Sequence, residues 1–134
     1  MVVVPFDHDW ANRQEVDATE LADEKVLLLS SGHCFSNQVV QACPSLSRNG
    51  EVLQGNSLDT VRNMVASNLG ITVLPASATI SRYQTPLVKA IPFKKPIPTR
   101  KIALAWRKSY GRVQAVDEIA KAIRSLEMFS AGLL

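Results

Sequence analysis

The sequence predicts an α/β fold: a Rossmann-like lobe built on a largely parallel sheet. Three observations point there. Short aliphatic runs alternate with helix-like segments along the chain. Two of these runs, Val26–Leu29 and residues 71–74, are continuously apolar, as expected of strands covered on both faces. Between them lies a segment in which Leu58, Val61, Val65 and Leu69 recur at helical spacing.

The elements follow in order. Residues 2–4 are three valines and predict a first strand. Residues 18–25 predict a short helix behind Asp17, a good cap residue. Val26–Leu29 is the next strand, and residues 52–53 a further one. Asn56 or Ser57 caps the helix that begins at Leu58. Asp59 lies in its first turn, where the dipole favours an acid, and Asn68 and Gly70 end it. Residues 71–74 form a strand closed by Pro75. Residues 87–93 alternate more, and Pro92 suggests an edge or an end. Residues 92–98 carry Pro92, Pro96 and Pro98, so this stretch is stiff and extended. It predicts a crossover between two lobes rather than part of a sheet. Residues 102–106 predict the last strand. Residues 112–129 predict the last helix, with Val113, Val116, Ala120, Ile123 and Leu126 on one stripe. One strand and one helix are too little for a core, so this tail must pack on something else.

Composition narrows the function classes. The chain has 134 residues, 46% hydrophobic and 20% charged, which suits one folded domain and excludes wholesale disorder. No apolar run approaches the roughly 18 residues of a membrane span, so no membrane partner is expected. Met1-Val2-Val3-Val4-Pro5 has no basic region before it and does not read as a secretory signal. The 15 basic and 12 acidic residues leave a net charge of +3 that no single face or run collects, too mild to argue for nucleic acid by itself. Lys94-Lys95 and Arg100-Lys101 read as solvated loop. Two cysteines are too few for a stapled secreted scaffold. The expectation is a cytoplasmic protein whose cysteines start as thiols.

The chemistry concentrates around Cys34 and Cys43. Cys34 follows a strand, Gly32 and His33, and it opens a segment with helical character through Phe35, Val39 and Ala42. A thiol at a helix amino terminus feels the positive end of the dipole, which favours the thiolate. A nearby cation would favour it further. The spacing is not Cys-x-x-Cys, and no second Cys or His pair completes a zinc site. If the segment is helical, nine residues rise about 13 Å and the two side chains face opposite ways. A disulfide needs Cα atoms within about 7 Å, so the bridge cannot form on an intact helix. An oxidation that requires refolding is a switch. The competing reading makes both cysteines small buried hydrophobes. Spacing leaves that choice open for Cys43, whereas the surroundings of Cys34 favour reactivity. A peroxiredoxin is disfavoured, because Leu27 and Ser31 stand where the proline and threonine of Pro-x-x-x-Thr-x-x-Cys would be.

These residues carry a resemblance. Gly32-His33-Cys34 with a second cysteine nine residues on, Ser57-Leu58-Asp59-Thr60-Val61-Arg62-Asn63-Met64-Val65-Ala66, and Gly70-Ile71-Thr72-Val73-Leu74-Pro75 together resemble the regulatory domain of LysR-type transcriptional regulators. Within that family they are most similar to the hydrogen-peroxide sensors. The likeness runs from about Phe6 to about Leu126. Asp7-His8-Asp9-Trp10-Ala11 is similar to an Asp-His-Pro-x-Ala segment of the family, with Asp9 in place of proline. The Gly-Ile-x-x-Leu-Pro run belongs to the wider family, whereas Gly-His-Cys with the nine-residue spacing is specific to the peroxide sensors.

The resemblance implies a periplasmic-binding-protein-like regulatory domain. Residues 1–99 would be its second lobe, carrying the redox cysteines, and residues 100–134 the returning strand and helix of the first. It implies that peroxide oxidises Cys34 to a sulfenic acid, that Cys43 resolves it to a disulfide, and that the refolding controls transcription of antioxidant genes. His33 matches the histidine beside the reactive thiol, and Arg100 the arginine that lowers its pKa. Asn37 stands at a pocket position that is aspartate in some relatives; it can hold a water or a peroxide oxygen but cannot accept a proton. Asn68 replaces a frequent glycine and tolerates a left-handed helix end. The implied partners are hydrogen peroxide, further copies in a dimer or a full-length tetramer, and a thiol reductant such as glutaredoxin or thioredoxin. Promoter DNA would be a partner only through a winged helix-turn-helix that this sequence lacks. No cofactor and no metal are implied. The missing elements predict a fragment or truncated product.

Other residues are weighed against blander roles. His8 among Asp7, Asp9 and Trp10 predicts a capped turn or lobe hinge rather than a metal site. Trp106 and Tyr110 predict core rather than a nucleic-acid stack. Ser30, Ser31 and Ser36 near His33 lack a Gly-x-Ser-x-Gly elbow and an orienting acid, so a hydrolase is disfavoured. The predicted function is a regulatory domain and not an enzyme. The alternatives are a small-anion effector domain of another LysR-type regulator and a thiol peroxidase-like enzyme.

Overall fold

A computed structural model describes residues 1–30, 34–44, 46, 53–80, 85–99 and 103–126. The chain divides into two compact units, Met1–Pro98 and Thr99–Leu134.

The first unit is a five-stranded sheet with helices on both faces. Its strands are β1 (Val2–Pro5), β2 (Val26–Leu29), β3 (Gln54–Gly55), β4 (Ile71–Val73) and β5 (Val88–Ile91), in the spatial order β3-β2-β4-β1-β5. Helices α1 (Cys34–Ala42) and α2 (Leu58–Ala66) connect β2 to β3 and β3 to β4. β1, β2 and β4 are buried along their whole length, which explains why they read as unbroken apolar runs. One sheet face packs Val2, Val4, Val26, Leu28, Ile71 and Val73 with Val39 and Cys43. The other packs Val3, Leu27 and Leu29 with Val61 and Val65 of α2. Alternation along each strand thus supplies two cores from the same short segments.

The sheet is mixed, not largely parallel. β2 pairs parallel with β3 and β4, but β1 pairs antiparallel with both β4 and β5. A valine run covered on both faces looks the same in either direction, so the sequence carried no sign of this reversal. Other expectations shift locally. Residues 18–25 form only a 3-10 turn, Glu20–Asp23, because the Asp17 carboxylate bonds the Thr19 backbone N–H at 2.9 Å and its hydroxyl at 2.7 Å, closing a local turn instead of capping a helix. The strand expected at residues 52–53 lies at Gln54–Gly55, and Val52 falls outside the described residues. The proline-rich stretch is partly tied to the sheet. Phe93 is buried and bridges Val16, and the Lys94 N–H donates to the Val16 carbonyl at 2.8 Å.

Helix ends follow their chemistry. The Ser57 hydroxyl accepts from the Thr60 N–H at 3.0 Å and caps α2. Asn68 adopts φ 59° beyond the helix, the left-handed position that asparagine tolerates. Gly70 adopts φ 149°, and a Cβ there would run into the Lys25 carbonyl oxygen. That carbonyl accepts the Ile71 N–H at 3.0 Å, so the close approach aligns β4 with β2.

The second unit contains α3 (Val113–Arg124). Val116, Ala120 and Ile123 are its half-buried positions, on the predicted stripe, and none of its residues is buried. Residues 103–106 form no strand, since no strand of their own unit pairs with them among the described residues, and Ile102 falls outside those residues. Trp106 and Tyr110 are exposed rather than core, since the described residues of the second unit hold one helix and no core of their own.

Candidate functional site

The site grows from the carboxyl edge of β2. Ser30 follows that strand, and its N–H donates to the Gly55 carbonyl at 2.8 Å, fastening the end of β2 to β3. Because β2 and β3 are parallel, the helices that follow them both begin at this edge. α1 lies on one face of the sheet and α2 on the other. Two helix amino termini thus meet where the connections diverge, the place where open α/β sheets bind ligands. A side chain added at Gly55 would press into Val61 of α2, so glycine is needed for this close packing.

Cys34 is the first residue of α1, as the sequence predicted. The helix has no acidic residue in its first turn to oppose its positive end. Asn37, one turn later, is exposed. His33 and Arg100 lie outside the described residues.

Cys43 is a free thiol, 1% exposed, in the core between α1 and the sheet. Its N–H still donates to the Val39 carbonyl at 2.9 Å, so the helical bonding runs unbroken from Cys34 to Cys43. The two Cα atoms are then about 13 Å apart along the axis, about twice the reach of a disulfide. Burial pushes the Cys43 thiol pKa up, and the Met1 ammonium pulls it the other way by less. Cys43 is held as a neutral, protected thiol.

Two neighbours had no role in the sequence reading. Phe35 packs against both hydrophobic clusters at once. Among the described residues, the buried Gln38 side-chain oxygen has no hydrogen-bond partner. The only available signal was their place in the first turns after the thiol, and residue type alone does not reveal a straddling ring or an orphaned acceptor.

His8 occupies a capped turn. Its Nδ1 accepts the Trp10 N–H at 3.1 Å, its Nε2 lies 3.7 Å from a Glu24 carboxylate oxygen, and its ring meets Trp10 edge-on at 5.5 Å. The Arg13 guanidinium covers the Trp10 ring at 5.1 Å and pairs with Glu20 at 2.6 Å. Among the described residues no group of three or more acidic, histidine or cysteine side chains could hold a metal. None of their helices is long and apolar enough to cross a membrane.

Comparison with known proteins bears on the family and the fold. Residues 1–126 match the family model of the LysR substrate binding domain. The chain is 38% identical over 126 residues to the Escherichia coli protein named DNA-binding transcriptional dual regulator OxyR, covering 93% of this chain and 41% of that protein. It is 33% identical over 124 residues to a Haemophilus influenzae protein named hydrogen peroxide-inducible genes activator, covering 92% and 41%. Among solved structures, the reduced OxyR regulatory domain of Pseudomonas aeruginosa superposes with a TM-score of 0.81 at 41% identity, covering 93% of this chain and 60% of that one. The chain therefore spans about two-fifths of the length of the curated relatives it matches. With the family match running through both units and the fold agreeing, the chain belongs to the LysR substrate-binding domain family.

Proposed function

We propose that this domain is the peroxide-sensing part of a transcription regulator, acting through a thiol–disulfide switch between Cys34 and Cys43 rather than as an enzyme. One observation carries the reading: a single unbroken helix holds one cysteine at its amino terminus, on the binding edge of the sheet, and buries the other nine residues away. The likeness to proteins named for hydrogen peroxide supports the oxidant.

The Cys34 thiolate attacks one peroxide oxygen, the O–O bond breaks, hydroxide leaves, and Cys34 becomes a sulfenic acid. Cys43 then gives its thiol proton to the departing hydroxyl, water leaves, and the S–S bond forms. The second step requires α1 to open, because the helix holds the two residues apart. His33 and Arg100 are the proposed neighbours that favour the Cys34 thiolate, and Asn37 the proposed contact to peroxide. A glutaredoxin- or thioredoxin-type reductant would reset the pair. Self-association, and promoter DNA bound through a domain outside this chain, would carry the signal. The proposed division is a redox lobe of residues 1–99 and a returning strand and helix, 100–134, of the other lobe.

Mass measurement after one equivalent of peroxide tests the switch. The expected result is a loss of about 2 Da confined to a Cys34–Cys43 cross-link. No mass change would favour an effector-binding domain with incidental cysteines, and repeated turnover with a reductant would favour a peroxidase. Arg100→Ala should shift the pH profile of Cys34 alkylation upward and slow oxidation, with a smaller effect from His33→Ala. An unchanged Arg100→Ala profile would remove the role assigned to that cation.

A further inference from the structure

We infer that Phe35 is a positioning residue: a latch holding α1 on the sheet, whose release sets how readily Cys34 and Cys43 can meet. The inference rests on the disulfide reading above, and it concerns the step after the first oxidation.

Among the described residues, Phe35 is the only half-buried apolar side chain that packs against both hydrophobic clusters. The clusters lie on opposite faces of the sheet, so its ring must reach past the sheet edge to touch both. It immediately follows Cys34, so Cys34 cannot travel toward Cys43 without moving it. The remaining attachment of α1 is narrow. It consists of buried Val39 and half-buried Val40, with Cys43 buried just past the helix end. The orphaned oxygen of Gln38 works against burial of the same helix. α1 has nine residues, no acid in its first turn and no base in its last, so it has little stability of its own and depends on packing. Beneath Phe35 is a void of about 10 Å³, bordered also by Leu28, Ser36, Val39, Leu58 and Val61, with room for about one water. The ring therefore sits at the joint between α1 and α2, and its departure would free α1 while α2 keeps its own buried anchors, Val61 and Val65.

This arrangement separates two energies. On this reading the first oxidation, at Cys34, belongs to the closed helix and disulfide formation to an open one, because nine helical positions separate the two cysteines. Weakening the latch should therefore change the second step and leave the first.

Phe35→Leu and Phe35→Ala, compared with the parent, test this by hydrogen exchange on the reduced proteins and by stopped peroxide reactions. The Ala variant should raise exchange of the α1 amides about tenfold or more, equivalent to about 1.4 kcal/mol of local opening. The α2 amides should change about twofold or less. Conversion of sulfenic acid to disulfide should accelerate by a similar factor, while consumption of the Cys34 thiol stays within about twofold. The Leu variant should fall between, and it serves alone if the Ala variant does not fold. Equal increases in α1 and α2 would mean general destabilisation and would overturn the latch, as would unchanged α1 exchange. If the parent forms no disulfide, the redox reading fails on that result, and the exchange comparison still judges the latch.

Discussion

Replacing Cys43 separates a protected thiol from a merely convenient one. The side chain is 1% exposed and lies among Val39, Val26, Leu28 and Leu46 in the cluster that α1 closes. Cys43→Ala removes one packed sulfur and leaves a small gap. A loss comparable to one buried methylene, about 1 kcal/mol, is expected. Cys43→Ser nearly preserves the shape but introduces a hydroxyl into apolar surroundings. An unpaired buried hydroxyl adds about 1–3 kcal/mol, so the serine variant should lose about 2–4 kcal/mol in total. At the usual urea slope of 1–3 kcal/mol/M for small proteins, that moves the unfolding midpoint down by about 1 M or more. Both variants should be unfolded in urea with a reductant present, at pH 7, with unchanged slopes. The pH dependence adds a second check. Burial raises the thiol pKa above its ordinary 9.0, so its contribution is intact below that value. It is lost as the pH rises through the higher folded-state pKa, because the unfolded chain gives up the proton more easily. The parent should therefore lose stability above pH 9 more steeply than Cys43→Ala. A serine variant as stable as the alanine variant would show a wet or polar site, and the protected-thiol argument would fail.

Three further predictions concern the scaffold that positions the site. Gly70→Ala places a methyl against the Lys25 carbonyl at a φ of 149° and should lower stability by about 2 kcal/mol or more in thermal or urea unfolding; a neutral substitution would contradict the close approach of β2 and β4. Thr72→Val removes a buried hydroxyl that donates to the Leu27 carbonyl at 2.7 Å, and it should lower unfolding stability by about 1 kcal/mol. The Asp17 carboxyl is held below its ordinary 3.8 first by the Thr19 hydroxyl, and the Glu20 carboxyl below its ordinary 4.5 first by the Arg13 guanidinium. Their contributions are therefore present above those ordinary values and disappear as the pH falls through the lower folded ones. NMR titration of Arg13→Gln should return Glu20 toward 4.5.

The sequence showed most clearly what local chemistry decides. Val26–Leu29 was legible because double-sided burial demands an unbroken apolar run. Ser57 and Asn68 were legible because helix ends need a particular acceptor and a particular φ. The start of α1 at Cys34 followed from the change of pattern after Gly32. Strand direction was not legible, since three valines satisfy two covered faces whichever way β1 runs. Asp17 misled because the same carboxylate can cap a helix or close a turn. The strand expected at residues 102–106 needed a ladder partner, which a strand cannot supply to itself. At the site, the order of the two cysteines and the helix between them could be read. The reach of Phe35 across both cores depends on which elements flank the sheet edge, and no spacing rule reports that.

The reversed strand has a consequence for how the first unit is assembled. Val2 pairs with Val73 on one side and with Ile91 on the other, so nearly the whole unit lies between β1 and its partners. β2, β3 and β4, with their crossover helices, are neighbours in sequence and can associate early at modest loop-closure entropy. β1 cannot take its place until β4 is formed, and β5 can join only along β1. Folding should thus begin in the parallel half and end with high-contact-order pairing, leaving one edge of β1 without a partner until residue 91 is available. Any chain cut short before β5 would keep α1 intact in sequence while one edge of β1 stayed open to aggregation.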